Sequence, residues 1–263
     1  MNKEKTIGVL GAGVMGMVLV KSLVKFFVSK NILVCDSNQD KLKALGKALR
    51  GLKVTAKVDD LSNQDIIFLA VKPQDFFNLE IKAPQALVIS IMAGVKIKTI
   101  QKKLNSNKIV RTMPNMPARL GKGFVVWTST ATVKKQDKEW LRNFWKILGD
   151  EIYVDKEEMI NKATAVTGSG PAYIFYNLQC FVLAAKSMGF SEKVAAKMVT
   201  SVFNGSLGLL NENQDCGELI KQVASKGGTT EAALNKFKEL SLDKVWLKGV
   251  QAAYKRSQDL SRS

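Results

Sequence analysis

Ile7-Gly8-Val9-Leu10-Gly11-Ala12-Gly13-Val14-Met15-Gly16 runs an apolar, strand-like segment straight into a Gly-x-Gly-x-x-Gly turn. A turn of this spacing, set between a strand and a helix, is where a βαβ unit binds a dinucleotide. Gly11 would make the tight turn, Gly13 would let the backbone approach the pyrophosphate, and Gly16 would let the helix pack on the sheet. The backbone of Ala12, Val14 and Met15 completes the turn, and phosphate would rest on the helix N-terminus. Glycine-rich turns are common, so the flanks carry the reading: a helix pattern over Met17 to Val28, then a second apolar run, Ile32-Leu33-Val34-Cys35.

That run ends at Asp36, about 20 residues beyond Gly16, the spacing of the acidic residue that holds an adenosine ribose. A carboxylate there favours NADH over NADPH, because it would repel a 2'-phosphate, although Lys41 and Lys43 stand near enough in sequence to serve one. Asp36 can equally be an N-cap for the helical stretch Asn38 to Arg50, worth about 1 kcal/mol.

Composition narrows the chemistry. The chain has 263 residues, 40 Lys plus Arg against 23 Asp plus Glu, and no histidine. The commonest general acid/base and the commonest metal ligand are therefore missing, and proton transfer falls to Lys, Tyr, carboxylates, hydroxyls or water. Cys35, Cys180 and Cys216 lack Cys-x-x-Cys spacing, so neither a zinc site nor a disulfide framework is expected; Cys35 and Cys180 read as core fillers. The lysines recur along separate helical segments with few aromatic residues between them, which suits solvated helix faces rather than a nucleic-acid platform. The charged start Met1-Asn2-Lys3-Glu4-Lys5 and the lack of any run near ~18 apolar residues predict a cytoplasmic protein with no membrane partner.

Further strand-like runs are Lys53 to Thr55, Asp65 to Ala70, Leu87 to Ser90, Lys108 to Arg111, Gly123 to Trp127 and Glu151 to Val154, alternating with helix patterns that include Lys135 to Leu148. Apolar runs without alternation are strands covered on both faces. The expectation is an α/β fold: a Rossmann-type, doubly wound, mainly parallel sheet over residues 1–160, then an all-α domain over 161–263 for substrate binding and dimerisation. Its helices are expected at Ala172 to Met188, Glu192 to Leu210, Gly217 to Val223, Thr230 to Leu240 and Leu242 to Leu260, with breaks at Gly189 to Ser191, Asn211 to Asp215 and Gly227-Gly228. The apolar faces (Ile174, Phe175, Phe181; Val202, Leu207) are broad. Packing within the chain covers them most cheaply, and a homodimer would bury what is left.

Other segments sit where ligands bind. Ala70-Val71-Lys72-Pro73 leaves the fourth strand at its C-terminal end; Lys72 either pairs with a cofactor phosphate or ribose or is a solvated loop lysine. Ser90-Ile91-Met92-Ala93-Gly94-Val95 leaves the next strand through small residues, which allows close approach to a nicotinamide. Arg111-Thr112-Met113-Pro114-Asn115-Met116-Pro117-Ala118 is stiffened by two prolines and shapes a pocket around Asn115. Val166 to Tyr173 reads as a tight glycine turn with Pro171 near a helix start. Ala224-Ser225-Lys226-Gly227-Gly228-Thr229-Thr230 opens a helix whose free N–H groups suit a small carboxylate, with plain capping by Thr229 or Thr230 as the other reading.

In this order, these segments closely resemble the pyrroline-5-carboxylate reductase family over essentially the whole chain; the Ser-x-Gly-Gly-Thr-Thr and Met-Pro-Asn-x-Pro elements are more specific than the glycine turn. The resemblance implies a reductase of proline biosynthesis that passes hydride from NADPH or NADH to the imine carbon of 1-pyrroline-5-carboxylate, giving L-proline. It implies a homodimer or larger homo-oligomer through the C-terminal helices, with substrate between a nicotinamide and the helical region. By the same resemblance, Ser225, Gly227, Gly228, Thr229 and Thr230 would hold the substrate, and Ala70 to Pro73, Ala93, Gly94 and Asn115 would line the cofactor. Thr230 is the candidate hydrogen-bond partner of the ring nitrogen and Lys72 the candidate electrostatic helper. Lys226 stands where the family usually has proline, and Asp215-Cys216 replaces a frequent His-Pro pair. A hydroxy-acid enzyme of the same plan would be expected to carry a lysine early on the first long helix, where only Lys186 stands near its end; a non-catalytic nucleotide sensor would have no need of the Gly-Gly-Thr-Thr turn.

Overall fold

The computed structural model describes residues 4–212 and 215–261. The charged start at residues 1–3 and residues 213–214 of the expected Asn211–Asp215 break lie outside the described residues. Strands β1 (Ile7–Leu10), β2 (Ile32–Cys35), β3 (Lys53–Thr55), β4 (Ile66–Leu69), β5 (Leu87–Ser90), β6 (Ile109–Met113), β7 (Gly123–Ser129) and β8 (Gly149–Tyr153) form one sheet in the order β3-β2-β1-β4-β5-β6-β7-β8. Pairing is parallel throughout except between β6 and β7. The exception has a local cause. The link from β6 to β7 holds only the short 3-10 turn Met116–Leu120, too little chain for a parallel crossover, which needs a dozen or more residues.

Helices α1 (Val14–Leu23), α2 (Gln39–Ala48), α3 (Pro73–Asn78), α4 (Ile97–Leu104), α5 (Lys135–Leu148) and α6 (Glu158–Ala163) accompany the sheet. Every residue of β1, β4 and β5 is buried, because successive side chains enter different cores. Phe68 joins Leu19, Leu23 and Phe144 on one face, while Ile67 and Leu69 join Phe76, Ile100 and Leu104 on the other. Phe144 lies 5.6 Å from Phe68 and stacks on Trp140 at 5.6 Å, contacts worth about 0.5–1.5 kcal/mol each beyond burial. The sheet order reverses direction between β1 and β4, which opens a crevice at their C-terminal ends.

The second compact unit begins at Gly170 and ends at Ala252; the first holds the chain up to Ser169 and takes back the segment from Ala253. The break thus falls later than 160/161. Asn161 and Ser261 explain it, since both bond within the first unit. The second unit consists of α7 (Gly170–Ser187), α8 (Glu192–Leu210), α9 (Cys216–Val223), α10 (Thr229–Glu239) and the body of α11 (Leu242–Leu260).

Three expectations fail here. The Val166 to Tyr173 stretch is not a tight glycine turn. Thr164–Gly168 is a π-helical turn following α6, with the Ser169 N–H donating to Thr164 O at 2.9 Å. Packing inside the chain does not cover the helical faces either. No residue of α7 is buried, and Phe175, Phe181, Val202 and Leu207 are 46–58 % exposed. Cys180, on α7, is exposed rather than a core filler, whereas Cys35 is buried. Among the described residues, no helix is long and apolar enough to cross a membrane.

Candidate active site

The turn after β1 separates the roles of its three glycines. Gly11 has φ +102°, and a Cβ there would lie 2.7 Å from the Ala70 carbonyl; a Cβ on Gly16 would lie 2.0 Å from Gly11 O. Both are required by the chain's own backbone. At Gly13 a Cβ would meet nothing within 4 Å, and its φ of −70° suits any residue. Packing gives no reason for glycine at that position, whereas a pyrophosphate approaching the start of α1 does. Gly13 is the N-cap of α1 and no side chain caps the helix, so the N–H groups of its first turn, Val14 to Gly16, have no side-chain cap.

Asp36 is partly buried at the end of β2. Its Oδ2 accepts from Ala12 N at 2.7 Å and its Oδ1 from Asn38 N at 2.9 Å. The cap of α2 is Asn38, whose side chain accepts from Lys41 N, so the helix-cap reading of Asp36 is displaced by a tether to the glycine turn. Behind it, burial and then the Asp36 and Asp60 carboxylates push the Cys35 thiol up to about 11. That thiol stays protonated and unreactive near neutrality.

The segments after β4, β5 and β6 reach the same end of the sheet. Lys72 is exposed and N-caps α3 through its carbonyl, which accepts from Asp75 N and Phe76 N, with Pro73 at the first helical position. After β5, Ser90 Oγ accepts from Met92 N and Gly94 turns with φ +77°. Asn115 is braced at both ends of its amide: Nδ2 donates to Thr167 O at 3.1 Å and Oδ1 accepts from Phe124 N at 2.8 Å. It fixes the loop after β6 against β7 and the π turn.

In the helical unit, α10 starts at Thr229 with Gly228 as its N-cap and no side-chain cap bond. Neither threonine caps the helix, so plain capping does not explain the pair. Gly227 turns with φ +73°, and its N–H donates to Glu231 Oε2 at 2.7 Å, which locks the loop Ser225 to Gly228 onto the first turn of α10. Thr229 and Thr230 thus stand at an uncapped helix start, where the dipole and free N–H groups favour an anion.

Residues that sequence reasoning passed over lie beneath the β5 and β6 loops. Arg111 is 1 % exposed; its Nη1 donates to Glu157 Oε1 and its Nη2 to Asn161 Oδ1, both at 2.8 Å. Burial lowers its pKa and the Glu157 carboxylate opposes that shift. The only sequence signal was a charge inside the otherwise apolar strand Ile109-Val110-Arg111. Elsewhere Lys82, Lys96, Lys98, Lys102 and Lys103 line one open groove of about 930 Å³ with Asp59 and Glu80, so part of the basic excess is gathered rather than spread over separate helix faces. Among the described residues, no cluster of metal-ligating side chains occurs.

A doubly wound sheet with a Gly-x-Gly-x-x-Gly turn after β1, followed by a helical unit, is the plan of an oxidoreductase that uses a nicotinamide dinucleotide. Residues 6–94 match the family model described as NADP oxidoreductase coenzyme F420-dependent, and residues 157–260 match pyrroline-5-carboxylate reductase dimerisation. The chain is 32% identical to the pyrroline-5-carboxylate reductase of Aquifex aeolicus over 89% of both chains, and 30% identical to that of Pasteurella multocida over 99% of both. The solved pyrroline-5-carboxylate reductase of Coxiella burnetii superposes with a TM-score of 0.84 at 29% identity, over 99% of this chain and 100% of that one. This chain belongs to the pyrroline-5-carboxylate reductase family.

Proposed function

We propose that the protein reduces 1-pyrroline-5-carboxylate to L-proline with NADH or NADPH. The observation that carries the reading is the start of α10. Gly228 stands at the N-cap without a side-chain cap, and Thr229 and Thr230 follow it, a fit for one small carboxylate. A bound nicotinamide supplies the hydride. The chain's residues do the rest: Ser225, Gly227, Gly228, Thr229 and Thr230 hold the substrate through its carboxylate, the Thr230 hydroxyl also lies near the ring nitrogen, and Lys72 adds positive charge toward the cofactor. The imine needs only to be protonated before it accepts hydride, so orientation and charge placement suffice. A chain without histidine can do this chemistry.

On the cofactor side, Gly11 to Gly16 and Asp36 take the adenosine diphosphate, while Ala70 to Pro73, Ala93, Gly94 and Asn115 line the rest. Asp36 favours NADH, because its carboxylate stands at the end of β2 where a 2'-phosphate would have to sit. The exposed faces of α7 and α8 are read as the homodimer interface, and the free thiols suit a reducing, cytoplasmic setting.

The test is turnover of pyrroline-5-carboxylate, read as loss of reduced-nicotinamide absorbance with NADH and NADPH in separate assays, for the native protein and for Thr230→Ala. The expected result is turnover with a preference for NADH. Thr230→Ala should lower kcat/KM by about 10²-fold with an unchanged unfolding midpoint, since Thr230 caps nothing. Dinucleotide binding without turnover would overturn the enzyme reading and favour a nucleotide sensor.

A further inference from the structure

Arg111 is buried in the sheet, yet none of the steps above uses it. Its guanidinium joins segments far apart in sequence. Glu157 Oε1, which takes Arg111 Nη1, also accepts from Ile97 N at 2.8 Å, at the first residue of α4 and just past the Ser90 to Val95 loop. Asn161 Oδ1, which takes Arg111 Nη2, is 3.2 Å from the Ser261 hydroxyl at the end of α11. The end of α11 in turn backs that loop: a Cβ on Gly94 would lie 2.8 Å from Leu260 Cβ and 2.9 Å from Leu260 O. Ser90 pairs with Arg111 across β5 and β6. The loop is thus held by its own strand, by the N–H of Ile97, and by a C-terminal wall behind Gly94. Arg111 sits where the first two supports meet and anchors the third.

The choice of residues points the same way. Arg111 is buried while the Glu157 side chain is 32 % exposed; desolvating the guanidinium offsets much of the attraction, which makes the pair a poor source of stability, and the Arg111 Nε is buried without a partner. What the pair offers is geometry. The planar guanidinium sends N–H groups to two acceptors, one on the N-cap Glu157 and one on Asn161 within α6, which a lysine ammonium would not fix in direction. Arg111, Glu157, Asn161 and Ser261 also border an open pocket of about 250 Å³, beside a loop whose Met92 and Val95 are themselves buried in the core.

We propose that Arg111, acting through Glu157 and Asn161, is a positioning residue for the nicotinamide half of the dinucleotide site. It holds the Ala93-Gly94 backbone in place and leaves the pyrophosphate turn untouched. This rests on the reading of residues 90–95 as a cofactor wall.

The test separates the two halves of the cofactor. Calorimetric titration with ADP and with the preferred reduced dinucleotide is compared for the native protein, for Glu157→Gln, for the paired Arg111→Met/Glu157→Leu variant and for Ala93→Leu. The paired variant removes both charges together, so neither is left buried alone, and Glu157→Gln keeps the side-chain shape should the paired variant fail to fold. The expected result for both is a Kd for the dinucleotide weakened by about tenfold, a lower kcat, and an ADP Kd within about twofold of native. Equal losses for ADP and dinucleotide, or no loss for either, would show a merely structural role and overturn the inference. Ala93→Leu distinguishes the two ideas. If it weakens the dinucleotide while the Arg111 and Glu157 variants do not, the inference alone falls; if it has no effect, the cofactor-wall reading falls and takes the inference with it.

Discussion

At Gly13 a methyl group would touch no atom of the chain, and at Gly16 it would strike the Gly11 carbonyl; that contrast yields a paired prediction. Gly13→Ala should change stability by no more than about 1 kcal/mol, since a slightly worse cap is offset by a less flexible unfolded chain. It should nonetheless weaken dinucleotide binding severely. Gly16→Ala should destabilise the fold by about 1–3 kcal/mol or more through overpacking against backbone. Urea unfolding and fluorescence titration of both variants check the pair. The three glycines and their spacing were legible in the sequence because their roles are local. The partner of Asp36 was not. Its carboxylate lies near Asn38 in the chain, but the Ala12 N–H that it takes belongs to a different strand connection and comes within reach only when β1 and β2 pair.

Among the elements, the strands were read nearly to the residue, because buried parallel strands are uninterrupted apolar runs. The start of α1 at Val14 rather than Met17 and the π turn at Thr164–Gly168 were not read: glycine masks a helix start, and one extra residue in a helical turn leaves no periodic trace. The last turns of α11 hold to α6 through Tyr254, which donates to Glu158. That bond, followed by Lys162, depresses the Glu158 pKa below 4.5. A depressed folded pKa means stability that is present above about 4.5 and is lost as pH falls through the lower folded value. Tyr254→Phe should therefore be less stable than native near neutral pH, and the difference should close in acid. Denaturant midpoints measured from pH 7 down to about pH 3 check this; a gap independent of pH would assign the loss to packing instead.

For the whole molecule, the apolar faces of α7 and α8 decide the outcome. Residues such as Phe175 at 58 %, Phe181 at 46 % and Leu207 at 56 % exposure form an apolar surface on neighbouring helices, the surface proposed above as the homodimer interface. Phe181→Glu is expected to shift the protein from oligomer to monomer by light scattering. The native unfolding temperature should rise with protein concentration, a dependence the variant loses. The sequence by itself determined the order of strands and helices along the chain, the glycine turn and the family, because each is written in spacing over a few residues. Only the tertiary structure decided that Asp36 tethers the turn, that Asn115 braces β7 and the π turn, that Arg111 joins α4, α6 and the end of α11, and that the helical faces stay uncovered. These depend on which distant segments meet, and local spacing does not carry that information.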